Sequence, residues 1–258
     1  MKLSVFMPTI RVHLLDEWYS SLEESCNNHD FEVVMCGPFN PPENIIKKNN
    51  VKFIKDYGSP TRSAQIAALN CSGDYLYHVV DDIIFEPNKI SSELDMVDEN
   101  TIISMRYREG KSHTGRELPH HYWMAGSSYN YPTISPQWLN CVHFIMPKSL
   151  FIEYGGFDCN YEYLNHATHD LLFRIQSSKD IKCILSKNTV CSADWMPDIT
   201  GDHAPIHYAQ TEHDAQLFFS SWYNSKPITK IDINNFINQP EIWKRRFCGD
   251  ESGYEDLK

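Results

Sequence analysis

Apolar runs that read as short strands alternate with helical stretches through the first part of the chain, and this alternation restricts the fold more than any other feature. The runs are LSVFMPT (residues 3–9), FEVVMCG (31–37), VKFIKD (51–56) and YLYHVV (75–80). Between the first two, HLLDEWYSSLEESCNN sets Leu14, Leu15, Trp18, Leu22 and Cys26 on one helical stripe. Between the last two, Ser59 suits an N-cap, Pro60 the first helical position and Gly73 the far end, while Ala64, Ala67, Ala68 and Leu69 can lie close against a sheet. Repeated strand–helix–strand units need right-handed crossovers, which produce a mostly parallel sheet covered on both faces. The predicted fold class is α/β.

The fourth run leads directly into an acidic pair, YLYHVVDDIIFEP, with Asp81 and Asp82 adjacent. Neighbouring carboxylates repel each other unless a cation or hydrogen-bond donors offset the repulsion. Two readings follow. The pair caps the turn after the strand, or at least one carboxylate holds a divalent cation at the sheet edge where open α/β folds bind ligands.

Composition excludes several other classes. No apolar stretch approaches the roughly 18 to 20 residues that span a bilayer, and MKLSVFMPTIR lacks the long apolar centre of a signal peptide. An intracellular, cytoplasmic protein is expected. The eight cysteines form no CxxC pair, as suits reduced core thiols. A net charge of -11 opposes general affinity for nucleic acid or anionic membranes.

The order of these pieces resembles a family. A strand ending Pro8-Thr9, a Gly58-x-x-x-Arg62 helix start, an apolar strand into Asp81-Asp82, and a later Gly155-Gly156-Phe157-Asp158 resemble nucleotide-sugar-dependent glycosyltransferases of the GT-A fold, with the inverting family two as the best likeness. The resemblance implies a GT-A, Rossmann-like, mostly parallel central sheet flanked by helices, with a long acceptor-side insertion, in a single domain over 1–258. Residues 1–100 would be the nucleotide-sugar half, 101–215 the acceptor and catalytic half, and 216–258 a helical extension with an acidic tail. The donor would be a nucleoside diphosphate sugar, UDP-linked.

The resemblance also assigns residues. Asp82 falls at the position that ligates Mn²⁺ or Mg²⁺ bridging the donor diphosphate, and Asp81 becomes a neighbour of the metal or ribose. The motif departs from Asp-x-Asp, reading Val80-Asp81-Asp82. Pro8 and Thr9 match the segment lining base and ribose, and Arg11 just beyond them joins the donor site. Arg62 matches an arginine near the diphosphate. Physics supports that role independently, since a guanidinium at a helix N-terminus adds fixed charge to unpaired N–H groups; a surface salt bridge is the plain alternative. Cys36, Gly37 and Pro38 stand where the family has an acidic residue that reads uracil.

For the acceptor half, Asp170 in THDLLFRI matches the family's Glu-Asp motif, with His169 replacing the Glu. Inverting transfer needs a base on the acceptor hydroxyl and electrostatic help for the leaving diphosphate. Asp170 is the candidate base, His169 a group able to orient it, and metal plus Arg62 the leaving-group stabiliser. An N-terminal helix acid is the alternative for Asp170. His207, with His203 in reserve, is the candidate further metal ligand from TGDHAPIHYAQ.

Residues 106–141 read as a long aromatic and polar loop, either functional or a packed cover for the sheet. Its Tyr122, Trp123, His121 and Trp138 suit stacking on a sugar or base, and Arg106, Arg108, Lys111 and Arg116 suit phosphate. Residues 241–247 suggest a short basic helix before an acidic tail. The acceptor is a hydroxyl on a glycan, protein, small molecule or hydroxylated DNA base. A nucleotidyltransferase or a catalytically silent glycan-binding relative is the competing class.

Overall fold

The computed structural model describes residues 2–27, 29–111, 117–122, 124–178, 180–193, 209–225 and 228–237. The expected alternation is present: β1 (Leu3–Pro8), α1 (Leu15–Cys26), β2 (Phe31–Gly37), α2 (Glu43–Ile46), β3 (Val51–Lys55), α3 (Pro60–Leu69) and β4 (Tyr75–His78). Strands β3-β2-β1-β4 are mutually parallel. β1 is buried over Leu3–Met7, as a strand covered on both faces must be. Phe6 faces one core layer, while Val5 and Met7 face the other.

Helix α3 starts as its sequence dictates. The Ser59 hydroxyl accepts the Arg62 N–H at 3.0 Å and Pro60 stands at the first helical position. Its end differs from expectation. Asn70, not Gly73, closes the helix, and Gly73 instead donates its N–H to the Ser4 hydroxyl. A Cβ there would lie 2.6 Å from the Lys2 carbonyl oxygen, so close approach is what requires glycine.

Beyond β4 come β5 (Ile83–Phe85), α4 (Lys89–Leu94), β6 (Thr101–Lys111), β7 (Glu117–Tyr122), the two-residue strands β8 (Met124–Ala125) and β9 (Leu139–Asn140), β10 (Phe144–Pro147), α5 (Lys148–Glu153), α6 (Leu164–Gln176), β11 (Lys182–Ala193) and α7 (Ala215–Phe219). The sheet continues from β4 through antiparallel β10 to β6, β11 and β5. The expected long loop is overturned for much of its length. β6 runs to Lys111, and β7 returns antiparallel beside it with Tyr107 opposite Tyr122. Glycine and histidine in REGKSHTGRELPHHY gave the segment a loop-like composition, but strand pairing engages residues 107–111 and 117–122 of it.

Two packed layers flank the sheet. One gathers Ala64, Ala67 and Ala68 of α3, Phe157, α6 residues Leu171–Phe173, and Phe218 with Trp222 around Phe6 and Phe144. The other packs Leu15, Trp18 and Leu22 of α1 and Ile90 of α4 against Val5, Tyr77 and Ile103. Alanines on α3 let its backbone approach the sheet, and aromatic rings fill the layer beside α6. All described cysteines are free, and burial pushes thiols such as Cys141 up to about 12. Among the described residues no helix is long and apolar enough to cross a membrane.

Candidate active site

Parallel strands β1 to β4 finish along one edge. Thr9 donates its N–H to the Cys36 carbonyl at 2.8 Å, Asp56 donates to the Gly37 carbonyl at 3.2 Å, and Val79 donates to the Phe6 carbonyl at 3.2 Å. The ends of four strands are thereby tied together, and this carboxyl edge gathers Pro8, Thr9, Arg11, Gly37, Asp56, Arg62, Asp81 and Asp82. A side chain at Gly37 would meet the Thr9 carbonyl at 1.9 Å. The close contact excludes an acidic residue from that position.

Asp81 and Asp82 occupy the turn between β4 and β5. Asp81 is buried and heavily used. Its Oδ2 accepts the Thr9 hydroxyl at 3.1 Å and the N–H groups of Ile10 and Arg11 at 2.8 Å each, while its Oδ1 accepts the Arg11 guanidinium at 2.6 Å. Arg11 also approaches Asp82, 3.8 Å from its Oδ2. The charge that offsets the acidic pair is therefore an arginine of this chain. Asp81 does not cap its own turn as the simple reading had it; it braces the loop after β1.

Asp82 is only partly buried. Among the described residues no three His, Cys, Asp or Glu side chains gather to hold a metal ion. Magnesium-type sites commonly use one or two carboxylates with substrate phosphates completing the shell. Asp82 fits such a shared site, whereas the saturated Asp81 does not. His203 and His207 lie outside the described residues, as do Trp123, Arg116 and residues 241–247. Tyr122 lies on β7 by its backbone, and its side chain is outside the description, as are those of His121 and Lys111.

Arg62 stands in the first turn of α3, where a phosphate-binding arginine is expected, but it has a partner. Its Nε donates to both Asp56 oxygens at 3.2 and 3.0 Å, and its NH2 nitrogen donates to Oδ1 at 3.1 Å. It also donates to the Phe236 carbonyl and lies over the Phe236 ring, 5.7 Å from its centre. The salt-bridge reading of Arg62 is thus present in the structure, with a partner on β3's end that sequence reasoning did not single out.

The acceptor-half candidates are embedded more deeply. Asp170 accepts Arg174 Nε on Oδ2 at 2.7 Å and the Trp222 indole N–H on Oδ1 at 2.9 Å. Arg174 extends the network by donating to the carbonyls of Tyr154 at 2.6 Å and Gly156 at 2.5 Å. Both carboxylate oxygens of Asp170 are engaged, and the residue is 5% exposed. His169 does not orient Asp170. Its Nδ1 meets the Tyr129 hydroxyl, and burial, reinforced by His166, pushes its pKa down to about 3. A neutral ring only 3% exposed is not an acceptor-binding surface in this arrangement. Trp138 likewise packs inward, 5.9 Å from the Phe173 ring centre and 6.3 Å from Trp222. Arg174 was legible as the i+4 partner of Asp170; Trp222, from a distant segment, was not.

No family model matches the chain, and no curated protein matches it. Solved structures do. The crystal structure of S. aureus TarS 1-349 aligns over 100% of this chain and 75% of its own, with 17% identity and a TM-score of 0.56. Its complex with UDP covers the same shares at 16% identity and a TM-score of 0.55. The complex with UDP-GlcNAc covers 99% and 76% at 15% identity and a TM-score of 0.57. The α/β fold of this chain, a curled sheet flanked by helices, is the fold of these proteins.

Proposed function

We propose that the chain is a glycosyltransferase that moves a sugar from a UDP-linked donor to an acceptor hydroxyl with inversion, in the manner of family two. One observation carries the reading: the chain follows, over its whole length, a fold whose crystal structures hold UDP and UDP-GlcNAc, with Arg11, Asp56, Arg62, Asp81 and Asp82 gathered at the carboxyl edge of the parallel strands. In this reading the sheet forms one unit, with the donor half at 1–100, the acceptor half at 101–215 and an extension at 216–258. Pro8, Thr9 and Arg11 line the nucleoside, with Asp81 holding their loop rigid. Asp82 would hold Mn²⁺ or Mg²⁺, with His207 as a further ligand. The cation neutralises charge on the leaving group when bound. Arg62 turns its guanidinium to the same phosphates by exchanging part of its contact with Asp56.

Tyr122 and Trp123 serve the acceptor side, where ring faces suit a sugar. The acidic charge of the chain favours a glycan, small-molecule or protein acceptor over DNA. Asp170 takes a positioning role here rather than that of the base, because its oxygens are committed to Arg174 and Trp222.

Thermal unfolding with UDP, UDP-GlcNAc and other nucleoside diphosphates tests the reading. At 100 Kd a ligand that binds only the native state adds about 2.7 kcal/mol. Stabilisation by UDP with Mn²⁺, reduced by chelator and by Asp82→Ala, is the expected outcome. Absence of stabilisation by every nucleotide would remove the donor site and shift the protein to a binding role.

A further inference from the structure

The Gly-Gly-Phe-Asp motif has no task in the donor site, yet the fold fixes it with unusual care. Gly155 and Gly156 take positive φ of 84° and 66°, a conformation costly for other residues. Arg174 holds the carbonyls of Tyr154 and Gly156, and Gln65 of α3 donates to the Gly155 carbonyl at 3.1 Å and accepts the Phe157 N–H at 2.9 Å. Asn235 then clamps the next residues. Its amide donates to the Phe157 carbonyl at 3.0 Å and accepts the Cys159 N–H at 3.0 Å. Asp158 is the residue between the jaws of that clamp.

Three aspartates around the site each have an arginine: Asp81 with Arg11, Asp56 with Arg62, Asp170 with Arg174. Asp158 makes no ion pair among the described residues. Its Oδ1 accepts the Asn160 N–H at 3.0 Å, and its side chain is partly exposed. The Asn235 clamp ties it to the start of α3, since the next residue, Phe236, accepts Arg62 through its carbonyl. The charged groups facing Asp158 are Asp170 and Arg174 of α6, and the adjoining Cys159 lies in the field of Arg62 and Asp56 at the start of α3. Burial, aided by Asp170 and opposed by the Asn160 N–H and Arg174, moves the Asp158 carboxyl above the ordinary aspartate value. That direction suits proton acceptance near neutral pH.

The geometry points to Asp158 as the general base of the transfer, an assignment that rests on the nucleotide-sugar reading above. Its carboxylate takes the proton of the attacking hydroxyl as that oxygen bonds to the anomeric carbon. The bond from that carbon to the diphosphate oxygen breaks, its electron pair leaves with UDP, and protonated Asp158 returns its proton to solvent. Asp170 and Arg174 hold the loop and so position the base.

Water can replace the unidentified acceptor in the test. UDP release from UDP-GlcNAc is followed against pH for the full chain with Mn²⁺, alongside calorimetric UDP binding, in wild type, Asp158→Asn, Asp158→Glu and Asp170→Asn. The expected result is UDP affinity within about 2-fold in Asp158→Asn and at least a ~100-fold loss of release. The acidic limb of the profile disappears in that variant, partly returns in Asp158→Glu, and persists in Asp170→Asn. Unchanged release in Asp158→Asn, or an acidic limb that vanishes with Asp170 instead, would overturn the assignment. UDP binding without release by wild type at any pH would overturn it too, since a poised base beside bound donor activates water. Failure of wild type to bind UDP would instead overturn the nucleotide-sugar reading beneath it.

Discussion

Asp170→Asn separates a structural carboxylate from a chemical one. The side chain is 8% exposed and its Arg174 partner 2%, so neither charge has much water to fall back on. Breaking a buried pair from one side costs roughly 3–5 kcal/mol, because the remaining charge is stranded. The asparagine amide keeps one acceptor oxygen, and Arg174 keeps the Tyr154 and Gly156 carbonyls, so the low end, about 3 kcal/mol, is expected. For a chain of this size that lowers Tm by about 6–12 °C and the urea midpoint by about 1 M. Tryptophan emission during urea unfolding is a suitable assay, since Trp222 bonds Asp170 directly. Adding Arg174→Met removes the stranded charge, and the double variant should be less destabilised than the sum of the singles by about 1 kcal/mol or more. An Asp170→Asn protein within about 0.5 kcal/mol of wild type that has lost all UDP release would refute the structural argument and restore Asp170 as the base.

Acid stability tests two further groups. Burial lowers the His78 pKa from 6.5 to about 4, against the opposing hydrogen bond to the Val142 carbonyl. The unfolded chain therefore takes the proton first, so stability is complete above about pH 6.5 and falls toward pH 4 at ~1.4 kcal/mol per unit. His78→Phe, with its ring on Phe144, should narrow the gap in unfolding free energy between pH 7.5 and pH 5 by about 2 kcal/mol; an unchanged gap would show that His78 is not neutral in the fold. Glu32 behaves with the opposite chemistry and the same sign. Burial alone would raise it, but Ser4, Ser72 and Lys2 outweigh that and hold it down to about 2 from 4.5. Its contribution, about 1–2 kcal/mol after solvent screening, is present above pH 4.5 and lost as pH falls to about 2. Glu32→Gln should lower stability at pH 7 by that amount and flatten the slope between pH 4.5 and 3.5; equal slopes in variant and wild type would contradict it.

The first half of the fold was legible because β1 and β2 are buried through their centres, so VFM and VVMC appear as apolar runs within them, and because Ser59-Pro60 marks a helix start in two adjacent residues. The Asp pair was legible as a site-edge feature. Its counter-charge was not, since Arg11 lies 70 residues away and comes beside Asp81 only when β1 and β4 pair. The same holds for Asp56 with Arg62: the six-residue separation was visible, but nothing in VKFIKDYGSP says that the chain turns back to join them. The β6–β7 hairpin was hidden by its polar composition. Asp170 and Arg174 carry a helical spacing readable from sequence, whereas Asn235, which clamps Asp158, bonds across 76 and 78 residues and leaves no local trace.

The contacts made by residues 214–236 also bear on how the chain reaches this fold. Asp214 accepts the N–H groups of Glu162 and Tyr163 ahead of α6, Trp222 bonds Asp170, and the Ile233 and Phe236 carbonyls accept donors from Gln65 and Arg62 across 168 and 174 residues. Pairings this distant are the slowest to form, because the intervening chain must be ordered before they return any free energy. During synthesis, α3 and α6 emerge long before the segment that completes the layer between them. The nascent protein must therefore carry an open aromatic seam around Phe173 until residues 214–236 are released, and that interval is when it is most exposed to aggregation and most dependent on chaperones.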